Sequence, residues 1–176
     1  NNSCIAIGDA TAIGEYSIAI GGTARGASNT SSGGLSSIAI GKFAIISTNA
    51  FGGVAIGQQT SCGYNSVSQI GNVAVGSGAK ARNSGSTSVG YNSDCVSGSG
   101  GSGVNNVALG KQATVSGSSN TGNSVALGYA AAVTTSNTIR LGNTSISSLL
   151  CQDTTISTSD VRDKTDFEAL NYGLDF

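Results

Sequence analysis

A four-residue pattern recurs along most of this chain and constrains its fold more than any other feature. An apolar residue, an alanine, a second apolar residue and a glycine follow one another in each strict copy. Strict copies occupy residues 5–8, 18–21, 38–41, 54–57, 73–76, 107–110 and 125–128, and looser copies occupy 87–90 and 139–142. Such self-similarity is typical of architectures in which one structural unit is stacked on the next.

Each copy has the period-two alternation of a short β-strand. The two outer apolar residues are predicted to share one face, and the alanine to lie on the opposite face. The glycine ends the strand and can take the positive φ of a sharp corner. A parallel stack of such strands buries a face that one short strand cannot bury, and the spacers are predicted to supply return strands and turns. The sequence therefore predicts an all-β parallel β-roll or β-helix solenoid.

The small size of the alanines predicts where another chain approaches. Aromatic residues make up only 5% of the chain, so a single narrow coil would have a thin core and an exposed alanine face. Small side chains on a flat face permit close packing, and threefold association with the alanines near the axis would cover them. We therefore predict a homotrimer.

Composition argues against several other classes of protein. The net charge is −1 and the eight Lys and Arg residues are dispersed, so we expect no nucleic-acid binding. No apolar run is long enough for a membrane-spanning helix, and we expect no membrane insertion. No metal site is expected, because the chain has no His and its acids are scattered. The Gly-rich run at 98–103 lacks the strand and helix of a dinucleotide site, so no cofactor is predicted.

The cysteines and the aromatic residues each leave two interpretations open. The cysteines are far apart, and either pack singly as small apolar groups or meet their symmetry mates near the trimer axis. They are Cys4, Cys62, Cys95 and Cys151. The aromatic residues either cap the core of each coil or are exposed and contact a receptor. The aromatic residues in question lie within the repeat region and are Tyr16, Phe43, Phe51, Tyr64, Tyr91 and Tyr129.

The repeat resembles the head repeat of YadA-like trimeric autotransporter adhesins. The motif is often preceded by Ser or Asn, at Ser17, Ser37, Asn72, Asn106 and Ser124. The resemblance extends over residues 3–142 and implies a left-handed parallel β-roll that is trimeric and presents a surface for adhesion. The spacers at 22–37 and 91–106 are longer than those of the family, and we expect them to be surface loops. Residues 1–142 are accordingly predicted to form one domain of β-roll head repeats.

The pattern stops after Gly142, and the composition then changes. Residues 143–158 are predicted to form neck or linker strands. The segment 159–168 holds much of the charge of the chain. Thr165 and Glu168 have the spacing of a capping box, which predicts a short helix over 166–172.

The segment 159–176 resembles the start of the endosialidase-type intramolecular chaperone domain of bacteriophage tail fibres and tailspikes. The resemblance implies one self-cleavage, between Ser159 and Asp160, with Ser159 as the nucleophile and Lys164 assisting it. A Ser hydroxyl needs such a base to become nucleophilic. Only the beginning of the domain is present, so we expect the cleavage to be inactive in this chain. The matching residues are Ser159-Asp160-Val161-Arg162-Asp163-Lys164 and Gly173-Leu174-Asp175-Phe176.

Three functions follow as hypotheses. The first is a structural segment of a viral or phage tail fibre, located in the extracellular part of the virion, which contacts a host-surface receptor or glycan. The second is the head of a bacterial trimeric adhesin on the cell surface, after which a coiled coil would be expected, although no heptad pattern begins here. The third is an enzyme that cleaves surface glycans, which needs paired carboxylates that the spacers scarcely offer. We expect no turnover enzyme.

Overall fold

The structure is a computed structural model, and it describes residues 3–22, 36–47, 49–63, 68–97, 104–117 and 121–150. Within these ranges the chain forms strands and turns and no helix. The strands, in chain order, are β1 (Ile5–Ile7), β2 (Ile18–Ile20), β3 (Ile38–Ile40), β4 (Ile45–Ile46), β5 (Ala50–Phe51), β6 (Val54–Ile56), β7 (Ser61–Cys62), β8 (Gln69–Ile70), β9 (Val73–Val75), β10 (Lys80–Ala81), β11 (Thr87–Val89), β12 (Asp94–Ser97), β13 (Asn106–Leu109), β14 (Thr114–Gly117), β15 (Ser124–Leu127), β16 (Ala132–Val133) and β17 (Ile139–Leu141).

The motif strands form one parallel sheet, which confirms the predicted stack. Its nine strands lie in the order β1-β2-β3-β6-β9-β11-β13-β15-β17, so each copy pairs with the next copy along the chain. The register places like residues side by side, since Ala39 pairs with Ala55 and Ala55 pairs with Ala74. The fold is therefore a β-solenoid in which each repeat is one coil.

The spacers supply the return strands, as predicted. Six of these strands form a second parallel sheet in the order β16-β14-β12-β10-β7-β4, and β5 and β8 pair in a third, small sheet. Each strand of the second sheet begins four residues after a motif glycine, as Ser61 follows Gly57 and Thr114 follows Gly110. The motif glycine thus sets the position of two strands, the one that it ends and the one that follows the corner.

One of the two long spacers differs from the prediction of a surface loop. The spacer at 91–106 contains the return strand β12, and only its residues 98–103 lie outside the described residues. Most of the spacer at 22–37 lies outside them as well. Residues 64–67 and 118–120, also outside, occupy the same interval between a return strand and the next motif strand. Differences in coil length therefore accumulate after the return strand.

The motif alanines after Ala6 face the interior of the coil, and the prediction that the alanines point outward to a trimer axis is wrong for them. Ala39, Ala55 and Ala74 are fully buried. They belong to one core cluster with Ile46 and Cys62, which lie on return strands. Only three residues join a motif glycine to the return strand, so the two sheets lie close together and the motif strand has room for a methyl group. The larger apolar residues on either side of each alanine point away from this core.

Two left-handed backbone positions build the corner. The motif glycines have positive φ, as predicted, and Gly110 has a φ of 134°. A Cβ atom on Gly110 would lie 2.6 Å from the carbonyl oxygen of Gly128 in the next coil. Two residues after the motif glycine the backbone is left-handed again, although the residue there is Gln112 (φ 58°) or Ala130 (φ 52°) in these coils. Residues other than glycine rarely take this conformation.

The Ser and Asn residues directly before the motif copies are buried, and two of them, Asn106 and Ser124, link successive coils. Asn106 Nδ2 donates to the Thr121 carbonyl at 2.8 Å, and its Oδ1 accepts from the Ser124 N–H at 3.2 Å. Ser124 Oγ lies 3.0 Å from the carbonyl oxygen of Thr135, to which it can donate. Polar side chains are tolerated in a core when they are hydrogen-bonded. These contacts account for Asn106 and Ser124, whereas the buried Ser17 hydroxyl at the same position of an earlier copy has no hydrogen-bond partner among the described residues.

The last motif copy carries Arg140 where the others carry a small residue. Arg140 pairs with Ala126 in the register of β15 and β17. Its Nη1 donates to the Ala132 carbonyl at 3.1 Å, and its Nε donates to the Gly142 carbonyl at 3.2 Å. Ala132 belongs to β16, the edge strand of the return sheet. The guanidinium therefore covers one end of the coil stack, where solenoids need a polar cap.

The stacked coils form a compact unit that ends at Ile146, and a second unit begins at Ser147. Residues 143–150 form no strand, in contrast to the prediction of neck strands. Asn143 Oδ1 instead accepts a hydrogen bond from the Ser145 N–H at 2.9 Å, which forms a turn. The rest of the predicted neck, the segment 159–176 and its predicted helix lie outside the described residues.

Candidate interaction surfaces

The residues predicted to carry self-cleavage lie outside the described residues. They are Ser159, Asp160 and Lys164. The described part of the chain therefore offers no geometry for this reaction, and the cleavage stays a prediction.

The outer side of the nine-stranded sheet is a partly exposed apolar surface, which we call the motif face. Two side chains from each strand, one before and one after the central residue, align in two rows. The central residue between them is buried in the strands from β2 to β15. Leu109 and Leu127 are 43% and 41% exposed. Thr87 interrupts the rows as their only polar residue. The first row is Ile5, Ile18, Ile38, Val54, Val73, Thr87, Val107, Val125 and Ile139, and the second is Ile7, Ile20, Ile40, Ile56, Val75, Val89, Leu109, Leu127 and Leu141.

Continuous apolar surface of this kind is unusual on a soluble chain and marks a site of association. Sequence reasoning assigned these side chains to the core of the coil and so missed the surface. The signal that could have found it is the central residue, which is alanine or serine in every copy except the last, because an interior between two close sheets restricts size more strictly than a surface does. The motif face is therefore the strongest candidate interface of the described residues.

The outer side of the return sheet is more polar than the motif face. Lys80 Nζ lies 3.7 Å from Asp94 Oδ2, and Arg82 Nη2 lies 3.9 Å from the same oxygen. Burial raises the pKa of Asp94 above its usual value, and the charges of Arg82 and Lys80 oppose that increase. Two cations on one carboxylate form a local network rather than a binding site, and this side is expected to face water.

Cys62 and Cys95 pack singly inside the coil, which confirms one of the two interpretations for these residues. Both thiols are free and fully buried. Cys62 Sγ donates to the Val54 carbonyl at 2.9 Å, and Cys95 Sγ to the Thr87 carbonyl at 3.3 Å. Burial raises the pKa of each thiol to about 12, so both are poor nucleophiles. Cys4 is free and half-buried, and Cys151 lies outside the described residues.

Most of the described aromatic residues are exposed, so of the two interpretations the one in which they cap the core is wrong for them, and receptor contact stays a prediction. The exposed ones are Tyr16, Phe43, Tyr91 and Tyr129. Phe51 differs, since it is partly buried and packs against the core cluster. Tyr64 lies outside the described residues. For three of them the reason is geometric, because Tyr91 and Tyr129 directly follow a motif glycine, Phe43 lies two residues after one, and these positions are on the outside of a corner.

Two of the exposed tyrosines and one lysine form a row along successive coils, which we call the tyrosine–lysine row. Tyr91, Lys111 and Tyr129 each directly follow a motif glycine. The ammonium of Lys111 lies 6.0 Å from the centre of the Tyr91 ring and 5.7 Å from that of Tyr129. These are cation–π distances. The row is a second candidate surface, and it differs from the motif face in carrying charge.

Other kinds of site find no support in the described part of the chain. No three His, Cys, Asp or Glu residues there come together as metal ligands. No described helix is long and apolar enough to cross a membrane. Comparison of the chain with protein-family models, with curated proteins and with solved structures finds no match.

Proposed function

We propose that this chain is a structural segment of a trimeric extracellular fibre, of the viral or phage tail-fibre kind, which contributes to attachment to a host surface. The observation that carries the proposal is the motif face. Nine strands present two rows of mainly Ile, Val and Leu on one side. Packing copies of the motif face against one another would remove these apolar side chains from water.

The copy number and the handedness rest on the resemblance of the repeats to trimeric adhesin heads. The apolar rows require a partner surface of similar length and chemistry, which another copy of the same chain provides. Three copies around one axis would place the three motif faces inward and the return sheets outward. In this arrangement the side chains near the axis are Ile, Val and Leu, and the alanines remain inside each coil.

The assignment to a viral fibre rests on the C-terminal resemblance around Ser159 and Lys164. A fibre of this kind would be folded with the help of a chaperone domain that continues beyond the described residues. The alternative is the head of a bacterial trimeric autotransporter adhesin, which would share the motif face and differ in the segment that follows it.

The native mass tests the association. Light scattering of the full chain, with and without reductant, is expected to give about three times the 17.2 kDa of one chain. Cys62 and Cys95 should not make that mass sensitive to reductant, because each thiol is buried inside one chain and cannot reach a thiol of another chain. A folded species with the mass of one chain would overturn the proposal.

A further inference from the structure

We propose that the tyrosine–lysine row binds a carboxylate-bearing polysaccharide. The row consists of Tyr91, Lys111 and Tyr129, which are the side chains that follow three consecutive motif glycines. This inference names the attachment surface and the ligand class of the fibre, and in that respect it rests on the proposed function.

The row is an ordered and accessible platform. Tyr91 is 53% exposed and Tyr129 is 57% exposed. The three corners are held together by the backbone, since the Gln112 N–H donates to the Tyr91 carbonyl at 2.8 Å and the Ala130 N–H donates to the Lys111 carbonyl at 3.0 Å. Successive coils are about 4.8 Å apart, so the two rings are separated by about 10 Å along the solenoid. A linear polymer lying along the stack could contact both rings.

The charge of Lys111 is available to a ligand. Among the described residues, no carboxylate lies within salt-bridge distance of its ammonium, because Asp94 contacts Lys80 and Arg82 instead. The two rings hold the ammonium between them. A ligand carboxylate could therefore pair with Lys111 while sugar rings on either side stack on the tyrosines. The phenol hydroxyls add hydrogen-bonding groups at the edge of the platform.

The chemistry of the corner favours a polysaccharide over a peptide. A peptide that adds to a sheet needs unpaired backbone groups at an edge. At these corners the N–H groups of Gln112 and Ala130 already bond to the preceding coil. Recognition must come from the side chains, which present two flat rings and one cation. Flat aromatic rings suit the C–H faces of pyranose sugars, and the cation suits a uronate carboxylate.

Affinity electrophoresis of the full chain in gels containing polygalacturonate tests the inference. The chain is expected to be retarded, and to be retarded less by the same polymer after its carboxyl groups are reduced. The double variant Tyr91→Ala/Tyr129→Ala should bind at least about tenfold more weakly, by analogy with the loss of aromatic stacking on other ring ligands. Lys111→Gln should weaken binding to polygalacturonate and leave binding to the reduced polymer unchanged.

The control is Tyr16→Ala, which removes an exposed tyrosine outside the row and should leave the retardation unchanged. Native mass is measured on every variant. The inference is overturned if polygalacturonate does not retard the chain, if the double variant binds as the unmodified chain does, or if the double variant dissociates into single chains. A single-chain mass with retardation intact would instead overturn the trimer and leave the row as a binding site.

Discussion

At Gly110, two separate requirements of the coil act on one residue. Its φ of 134° is costly for any side chain, and the position of a Cβ atom is taken by the carbonyl group of Gly128 in the next coil. The periodicity of the motif predicted the positive φ, because a strand this short must end in a corner. The close approach of the next glycine became visible only when the coils were stacked.

The substitution Gly110→Ala is expected to lower the free energy of unfolding by about 3 kcal/mol, as the sum of a left-handed backbone and a clash with backbone atoms. Urea denaturation at one fixed chain concentration measures this change. Gly22→Ala is the control, because a Cβ atom there meets no atom within 4 Å. It should change stability by no more than about 0.5 kcal/mol. Equal effects of the two substitutions would contradict the stacking argument.

A second residue-scale feature is a pair of serines in the core of one coil. Ser88 takes the place of a motif alanine, and Ser93 takes the place held by Ala113 in the next coil. Both are fully buried. Ser88 Oγ donates to Ser93 Oγ at 2.8 Å, and Ser93 Oγ donates to the Gly90 carbonyl at 3.1 Å. In this coil serine stands at both positions where the next coil has alanine, and the Ser93 hydroxyl accepts the hydrogen bond that the buried Ser88 hydroxyl donates.

Ser93→Ala should destabilise the chain by about 1–2 kcal/mol, because it leaves the buried Ser88 hydroxyl without its acceptor. Ser88→Ala should cost less, since Ser93 keeps its bond to Gly90. The double variant restores the alanine pair of the neighbouring coil and should be closer in stability to the unmodified chain than Ser93→Ala is. Urea denaturation of all three variants completes the cycle, and additive losses would show that the pair is not coupled.

At the scale of the elements, a coil consists of a motif strand, a corner, a return strand and a spacer of variable length. The motif strand and the return strand keep a constant offset, because both are positioned by the same glycine. Spacer length varies freely after the return strand, where the chain has left the closely packed corner. At each end of the stack the last coil has no neighbouring coil to cover it, and at the C-terminal end Arg140 covers it.

Arg140→Ala should loosen the last coil without affecting the middle of the stack. Loss of the bonds to the Ala132 and Gly142 carbonyls is expected to speed amide hydrogen exchange at Gly142 by about tenfold. Gly142 N–H bonds to the Leu127 carbonyl in the preceding coil. Exchange at Gly76, in the middle of the stack, should not change. Arg140→Lys keeps the charge and should give an intermediate rate, and a uniform increase along the chain would contradict a local cap.

At the scale of the whole molecule, the two sheets of the solenoid have different surfaces. The motif face carries rows of Ile, Val and Leu, and the return sheet carries polar and charged groups such as Lys80 and Asp94. The proposed fibre needs this division, because one side must associate and the other must remain hydrated.

A charge on the motif face should therefore prevent association, and a charge on the return sheet should not. Leu109→Glu places a carboxylate among the apolar rows and is expected to shift the native mass from three chains to one. Ser116→Glu adds the same charge at an exposed position of β14 on the other side of the coil stack and should keep three. Circular dichroism verifies that both variants retain β-structure. If the Leu109→Glu variant remained trimeric, the motif face would be excluded as the interface.

The sequence by itself determined the repeat, the motif strands, the corner glycines and the parallel stack, since these follow from local alternation and from the recurrence of one pattern. It did not determine which side of the motif strand is buried. The period-two alternation places Ala55 on one face of the strand and its apolar neighbours on the other, but it does not say which face points inward. Large apolar residues usually form the core, and that expectation assigned the wrong face to the interior. The tertiary structure decided the facing, because the three-residue corner brings the motif strand close to the return strand, whose buried side chains, such as Ile46 and Val115, leave room only for a small residue on the motif strand. The same packing turned Tyr91 and Tyr129 outward and left the motif face uncovered within a single chain.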